Sequence, residues 1–429
     1  MNSSMTMNGS TIDNYVLNEE GVPVKNGQFK LNKNPFVDFN IIHTVGGSLL
    51  NRDDSNRQKT VTIGGVPRMR ISSQCWKRVI RKYMEEETVN TRRLTFLLRH
   101  ELAHLNLTDK DFAKIDKFVV KKYLVDDMDE EKNSKKTKRA HYVSMREVAG
   151  IADFVEEHIS EILAGEDISK AMAAKKIATV LTEGISVNKA LFGCMATEAY
   201  IRSVNGAAQV LQSFSVDAYT NGSDYFVAQE DVKTGLDVVD WGNDTEAAIP
   251  GSMDLNSNTL YRHVTLNIGL LIQNLSVGKN LTDPAMCDAI KDAVKQTIEK
   301  FATALVLLTP SAKQNSCETR TTPYAVFVNT IYTKDTEGMK TYETAFVKPV
   351  VYNGVESIEK TAADCLAKEV AADAKTGLDP RKYIGRYWVE KGMDRSFPEN
   401  FGITTDLTYK AVIEQVKAMV DEIEFVRVE

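Results

Sequence analysis

The stretch Leu50–Lys82, LNRDDSNRQKTVTIGGVPRMRISSQCWKRVIRK, decides how the rest of this 429-residue chain is read. It opens on a loop too polar to be core. VTIGGVPRMRI then reads as two short extended pieces about a Gly64-Gly65 turn. Ser72-Ser73 make a helix N-cap, and the helix is expected to run to about Glu86. At about 100° per residue, Trp76, Val79, Ile80 and Tyr83 share one side, while Gln74, Lys77, Arg78, Arg81 and Lys82 share the other. One face is therefore core and the other a cationic row. From Arg52 to Lys82 there are nine Lys or Arg and two Asp, a net of +7, so the remainder of a chain whose total is −6 must carry −13. A basic contact strip on an acidic body is the natural reading. A row of cations with hydroxyl and amide donors at a helix start is what a nucleic-acid backbone requires. Ser72, Gln74, Lys77, Arg78 and Arg81 would supply it; the plain alternative is a solvated helix face.

Upstream, Phe36–Val45 (FVDFNIIHTV) has the rhythm of a strand. Residues 1–35 are rich in Asn, Ser and Gly and read as a mobile or surface-laid extension. Downstream, residues 87 to about 184 carry Leu/Ile/Val/Ala stripes at helical spacing throughout, interrupted by the charged linker 126–139. Residues 213–256 combine turn chemistry with strand-like pieces, SVDAY and DYFVA. Helices are expected near 282–303, 355–375 and 407–423, and strands at 323–332 and 341–352. No repeat of 20–50 residues is evident. The class is α+β, with a long helical insertion and a strand-rich excursion.

Bulk properties narrow the function. Hydrophobic content of 43% and charged content of 26% are those of a soluble globular protein. The longest apolar stretch, Phe301–Leu308, is far short of the roughly 20 residues a membrane helix needs. The N-terminus shows no signal-peptide pattern. Five widely spaced cysteines without a CxxC fit a reducing cytosol and give no thiolate zinc site. P-loop, Rossmann and nucleophile-elbow patterns are missing. The loudest enzyme signal is HELAH at 100–104, the HExxH of zinc peptidases, in which two His bind metal and the Glu is the base. A zinc-dependent metallopeptidase is thus the alternative reading. Against it, Leu94, Leu98, Leu102 and Leu105 form the buried stripe, placing His100 and His104 on the opposite, solvent side. No third ligand stands at a known spacing; His141, His158 and several Glu are only loose candidates.

The run Leu50–Lys82 also resembles the signature of the CasC family, the backbone subunit of type I-E Cascade in CRISPR defence and a branch of the RAMP superfamily. Further similar blocks keep their order: LFGCMAT (191–197), VNGAAQVLQSFSVDAY (204–219), DYFVAQEDV (224–232), LYRHVTLNIGLLIQNL (260–275) and TPSAKQN (309–315). The similarity covers about residues 36–350. NTRRLTFLL, just before HELAH, resembles the family too, which weakens the peptidase reading.

The resemblance implies an RRM-like, ferredoxin-type palm (36–86 and 185–429), a helical fingers insertion (87–184) and a β-hairpin thumb (213–256), with 1–35 outside the pattern. It implies a crRNA-binding, non-enzymatic protein without cofactor, metal or catalytic residues. Copies of the chain would stack head to tail along the guide, beside other Cascade subunits, and present the spacer to target DNA. This ribonucleoprotein would be cytoplasmic and away from membranes. By matching positions, Arg52, Lys59, Ser72, Gln74, Lys77 and Arg81 would touch the guide backbone. Met195 would wedge beside a displaced base, and Ile249 or Met253, in EAAIPGSMDL (246–255), would form the apolar thumb tip.

Overall fold

Strand β3, Pro35–Ser48, lies at the middle of the molecule and is buried on both faces over most of its length. The computed structural model describes residues 11–17, 23–84, 88–91, 93–124, 141–166, 168, 185–194, 203–228, 249–311, 314–317, 319–332, 340–379, 381–392, 395–397 and 401–428. The chain opens with β1 (Ile12–Leu17) and β2 (Pro23–Leu31), followed by β3, β4 (Thr60–Ile63), β5 (Val66–Ile71) and helix α1 (Ser73–Met84). An insertion contributes β6 (Thr88–Thr91), α2 (Leu94–Glu101), α3 (Asp109–Ile115), β7 (His141–Ser144), α4 (Met145–Glu157) and α5 (Ile159–Ala164). Then come α6 (Val187–Phe192), β8 (Ala208–Val210), β9 (Ser213–Ser215), β10 (Gly222–Ala228) and β11 (Ile249–Asn267). The chain ends with α7 (Ile268–Leu275), α8 (Pro284–Leu307), β12 (Ala325–Tyr332), α9 (Ile358–Thr376), β13 (Tyr383–Glu390), α10 (Tyr409–Asp421) and β14 (Phe425–Val428).

The main sheet is antiparallel, in the order β13-β12-β3-β11-β9-β5-β4, with β8 and β10 also pairing with β11. Successive side chains of a strand point to opposite faces, and β3 divides accordingly. Val37, Phe39, Ile41 and Val45 join the core built by α1, α7, α8 and α10. Ile42 joins a second core formed by α9 with Tyr261, Phe327, Phe346 and Trp388. Asp38 and Asn40 point the same way as Ile42 and are satisfied internally. Asn40 Nδ2 donates to Asp38 at 3.2 Å and Tyr261 donates to Asn40 Oδ1 at 2.6 Å. The result is a mixed α/β protein with antiparallel sheets, its central sheet covered on both sides.

Several sequence expectations are corrected. Residues 12–17 and 23–31 are strands that pair with each other, the second also with β14, and Ile12 and Phe29 reach the main core. The polar composition concealed them because most of β2 is exposed. Residues 341–352 are no strand. Tyr342 and Phe346 anchor a short 3-10 turn, and Pro349, which lacks an N–H, follows. The stretch 87–184 is not helical throughout, since β6 and β7 pair at its base. On α1 the buried stripe is Trp76, Ile80 and Met84, whereas Tyr83 is 40% exposed.

The Gly64-Gly65 turn is required twice over. Both residues have positive φ, +57° and +79°, and a Cβ on Gly64 would lie 2.1 Å from the Val347 carbonyl oxygen. At Gly65 nothing lies within 4 Å. Gly64→Ala is expected to cost about 2–4 kcal/mol from backbone strain plus the clash. Gly65→Ala should cost about 1 kcal/mol, from strain alone. Denaturant melts of the two variants check the difference.

Candidate nucleic-acid interface

The cationic row stands on a rigid base. Ser72 is the N-cap of α1: its Oγ accepts from the Cys75 amide at 3.4 Å, and its carbonyl accepts from Cys75 and Trp76. Ser73 Oγ donates to the Val210 carbonyl at 2.5 Å. Trp76, 1% exposed, donates from its indole to Ser213 Oγ at 2.8 Å, while the Arg262 guanidinium lies 3.7 Å from the centre of its ring. Helix α1 is therefore pinned along its inner face. Its outer face presents Gln74, Arg78 and Lys82 fully and Lys77 and Arg81 in part.

The loop before β4 folds against the start of this helix. Asn51 Oδ1 accepts from the Ser72 amide at 2.9 Å, and buried Gln58 donates to the carbonyls of Lys59 and Arg70. Arg52 is held by Asn56 Oδ1 at 2.7 Å, and Asn56 takes a positive φ of 66° to close the turn. Lys59 and Arg78 both lie near the Cys75 thiol. Burial pushes that thiol up and the two cations oppose the shift. Thus Arg52 and Lys59 are carried to the N-terminal end of α1, where free amides already favour an anion.

Farther along the helix, burial and the neighbouring Arg81 lower the Lys77 pKa. The Arg81 guanidinium lies 5.4 Å from the centre of the Tyr142 ring of β7. Burial pushes the Tyr142 hydroxyl up to about 12, with Arg81 opposing. Among the described residues no carboxylate forms an ion pair with Arg52, Lys59, Lys77, Arg78 or Arg81. Crowded cations without internal counter-charges are suited to an external polyanion.

Not every cation of the strip belongs to this surface. Arg68 is fully buried and donates to the carbonyls of Ser215, Val216, Phe346 and Val347, at 2.6–3.3 Å. It clamps β5 to its neighbours. Arg70 is held by Gln212 at 2.5 Å. Ser72, 7% exposed, presents little of its hydroxyl. Trp76, read from the sequence as part of the core face, is buried there; the supports Asn51 and Gln58 were not singled out, because an Asn or Gln beside a helix start does not announce whether it faces inward.

The excursion after β9 is a two-stranded ribbon. Gly222–Ala228 pairs antiparallel with Ile249–Leu255 before β11 continues into the main sheet. Ile249 lies opposite Ala228 and Met253 opposite Asp224, so both stand on an arm of the ribbon and not at a turn. Gly251 lies opposite Phe226 in the ribbon. A Cβ there would lie 2.4 Å from the Phe226 ring, so this glycine makes room for a cross-strand aromatic. Tyr225, Phe226 and Val227 are 67%, 43% and 46% exposed. Met195 lies outside the described residues, as do 229–248.

HELAH does not keep the helical geometry a zincin needs. Helix α2 ends at Glu101, Leu102 caps it, and Ala103–Leu105 is a 3-10 turn, so the two histidines do not share a continuous α-helical face. The side chains of His100 and His104 are 82% and 56% exposed, and His104 pairs with Glu156 at 3.2 Å. Among the described residues no group of three or more His, Cys, Asp or Glu is placed to hold a metal. His100→Ala/His104→Ala is expected to change stability by no more than about 0.5 kcal/mol, as for ordinary surface positions. Zinc in the purified protein should remain well below one per chain by elemental analysis. No helix among the described residues is long and apolar enough to cross a membrane.

A family model described as CT1975-like protein matches residues 37–414. No curated protein matches the chain. Among solved structures, a chain of a "CRISPR RNA-guided surveillance complex, pre-nicking" is similar at a TM-score of 0.73 and 23% identity, covering 90% of this chain and 100% of that one. A chain of another "CRISPR RNA-guided surveillance complex" has a TM-score of 0.65 and 20% identity, covering 90% and 99%. At these identities the likeness is one of fold.

Proposed function

The chain belongs to the CT1975-like protein family, and we propose that it is a non-catalytic Cascade-type backbone subunit that holds a CRISPR guide RNA by its phosphates. The observation that carries this reading is the outer face of α1. Lys77, Arg78 and Arg81 share one rigid helix, Arg52 and Lys59 are brought to its N-terminus, and no described carboxylate pairs with them. Phosphate contacts carry no sequence information, so such a surface accepts any spacer. The likeness to chains of surveillance complexes supports the same reading.

In this reading the main sheet with α1 is an RRM-like palm, the insertion 87–184 the fingers, and the ribbon within 213–256 the thumb. Copies of the chain would stack along one crRNA with other Cascade subunits, and the spacer would be left open to pair with target DNA. The ribbon, with its exposed Tyr225, Phe226 and Val227, would lie on RNA and the neighbouring copy, and Met195 would stand beside a base displaced from the stack. Residues 1–35 remain outside this scheme, although β1 and β2 tie the start of the chain to its last strand.

A salt titration of single-stranded RNA binding tests the reading. About four phosphate contacts per subunit give a slope near −3 in log K against log salt. A slope near zero, or binding confined to particular sequences, would count against it.

A further inference from the structure

The insertion has a core of its own, built from Leu94, Leu98, Phe112, Ile115, Val148, Ile151, Phe154 and neighbours, separate from the cores that cover the main sheet. A half-open pocket marks the place where it meets the main body. A cavity of about 280 Å³ lies there, bordered by Ser144 and Arg146 on the insertion side, and by Ile185–Val187, Asn274 and the first turns of α8 on the other. Directional polar ties cross this root of the insertion.

Those ties converge on α6. Lys189, 3% exposed, places its Nζ 2.5 Å from both carboxylate oxygens of Glu147, itself 1% exposed. Glu147 is the N3 residue of α4 and completes a capping box with Ser144. The preceding residue, Asn188, donates to the Arg81 carbonyl at 3.2 Å, at the far end of the cationic face. Ser186 Oγ accepts from Thr88 at 3.0 Å, and the Arg81 guanidinium lies over Tyr142 of β7, two residues before the α4 cap. One short helix therefore grips the cationic helix with one residue and the insertion with the next.

We propose that Lys189 and Glu147 are positioning residues that fix the angle between the insertion and α1, and thereby aim Arg81 at the RNA backbone. The inference rests on the reading of α1 as an RNA-binding face. A buried ion pair is weak evidence for stability, because two well-packed neutral groups often do as well. It is directional, however, and a directional tie across the joint is what orientation requires.

The test compares four full-length proteins with labelled single-stranded RNA: Lys189→Met, Glu147→Gln/Lys189→Met, Arg81→Ala, and Arg81→Ala combined with the Glu147→Gln/Lys189→Met pair. Gln at position 147 keeps the capping box, so the paired variant should melt like the parent even if Lys189→Met alone folds poorly. It should nevertheless bind RNA about tenfold more weakly, with a salt slope about 0.7 less steep, the equivalent of one lost phosphate contact. Because the pair acts through Arg81, the triple variant should bind no more weakly than Arg81→Ala. Parent-like RNA binding by the paired variant, or losses that add to that of Arg81→Ala, would overturn the positioning role while leaving the RNA reading intact. An Arg81→Ala protein with unchanged affinity and salt slope would overturn both.

Discussion

Lys77→Ala/Arg81→Ala is expected to weaken guide-RNA binding by about a hundredfold. On the proposed reading each residue would offer one charge-assisted contact to phosphate, worth about 1.5 kcal/mol, and two such losses come to about 3 kcal/mol. The loss should be the same for every spacer, because phosphates carry no sequence. With two of about four contacts gone, the salt slope should fall from near −3 to near −1.5. Folding should survive, since neither side chain belongs to the Trp76–Ile80–Met84 stripe that fixes the helix. Parallel titrations of two unrelated spacers give the affinity, the slope and the sequence independence together. Unchanged affinity, or loss for one spacer only, would show that the cationic face is merely solvated.

A larger effect, on assembly, is expected from shortening the ribbon. Asp224 and Met253 are directly opposite, so residues 225–252 can be replaced by an Asn-Gly turn, the connection that suits a two-residue hairpin loop. An isolated two-stranded ribbon is marginally stable in water, and this one contributes exposed Tyr225, Phe226 and Val227 to no described core. The monomer's melting temperature should therefore move by only a few degrees. Ordered multi-copy assembly on guide RNA should be lost. A shortened protein that still forms full-length arrays, seen by sizing and by periodic chemical reactivity of the RNA bases, would place the inter-copy contact elsewhere.

What could be read from sequence divides along physical lines. The segment from the Gly64-Gly65 turn through the Ser72 cap to the two-faced α1 was legible because each device is local: positive φ, a capping hydroxyl, an i,i+4 stripe. Tyr83 misled because angular position on an ideal wheel says nothing of where the core ends; Met84 continues the four-residue stripe and takes the buried place. The long strand β11 was hidden at its middle, where Asn256, Ser257 and Asn258 look like turn residues. There Asn258 donates to Asp217 at 2.7 Å and the Thr259 amide donates to the same carboxylate at 3.1 Å, so the polar groups are satisfied within the sheet. β1 and β2 form a local hairpin that was missed because its composition is polar and most of β2 is exposed; β14 was missed because it pairs with β2, near the opposite end of the chain, and no local pattern encodes a partner so distant. At the candidate site, the charge count of Arg52–Lys82 could not separate exposed cations from buried ones. Arg68 counts as a cation in the sequence and is a buried carbonyl clamp in the fold.

The central claim, that α1 grips guide RNA, is tested most directly by what the full-length protein carries out of cells that hold a CRISPR array. The expected result is a nuclease-sensitive small RNA of one defined length, array-derived, retained at low salt and released as salt rises, and missing from the Lys77→Ala/Arg81→Ala protein purified in parallel. Protein free of RNA, or bound to RNA of mixed length and origin in equal measure with and without Lys77 and Arg81, would contradict it.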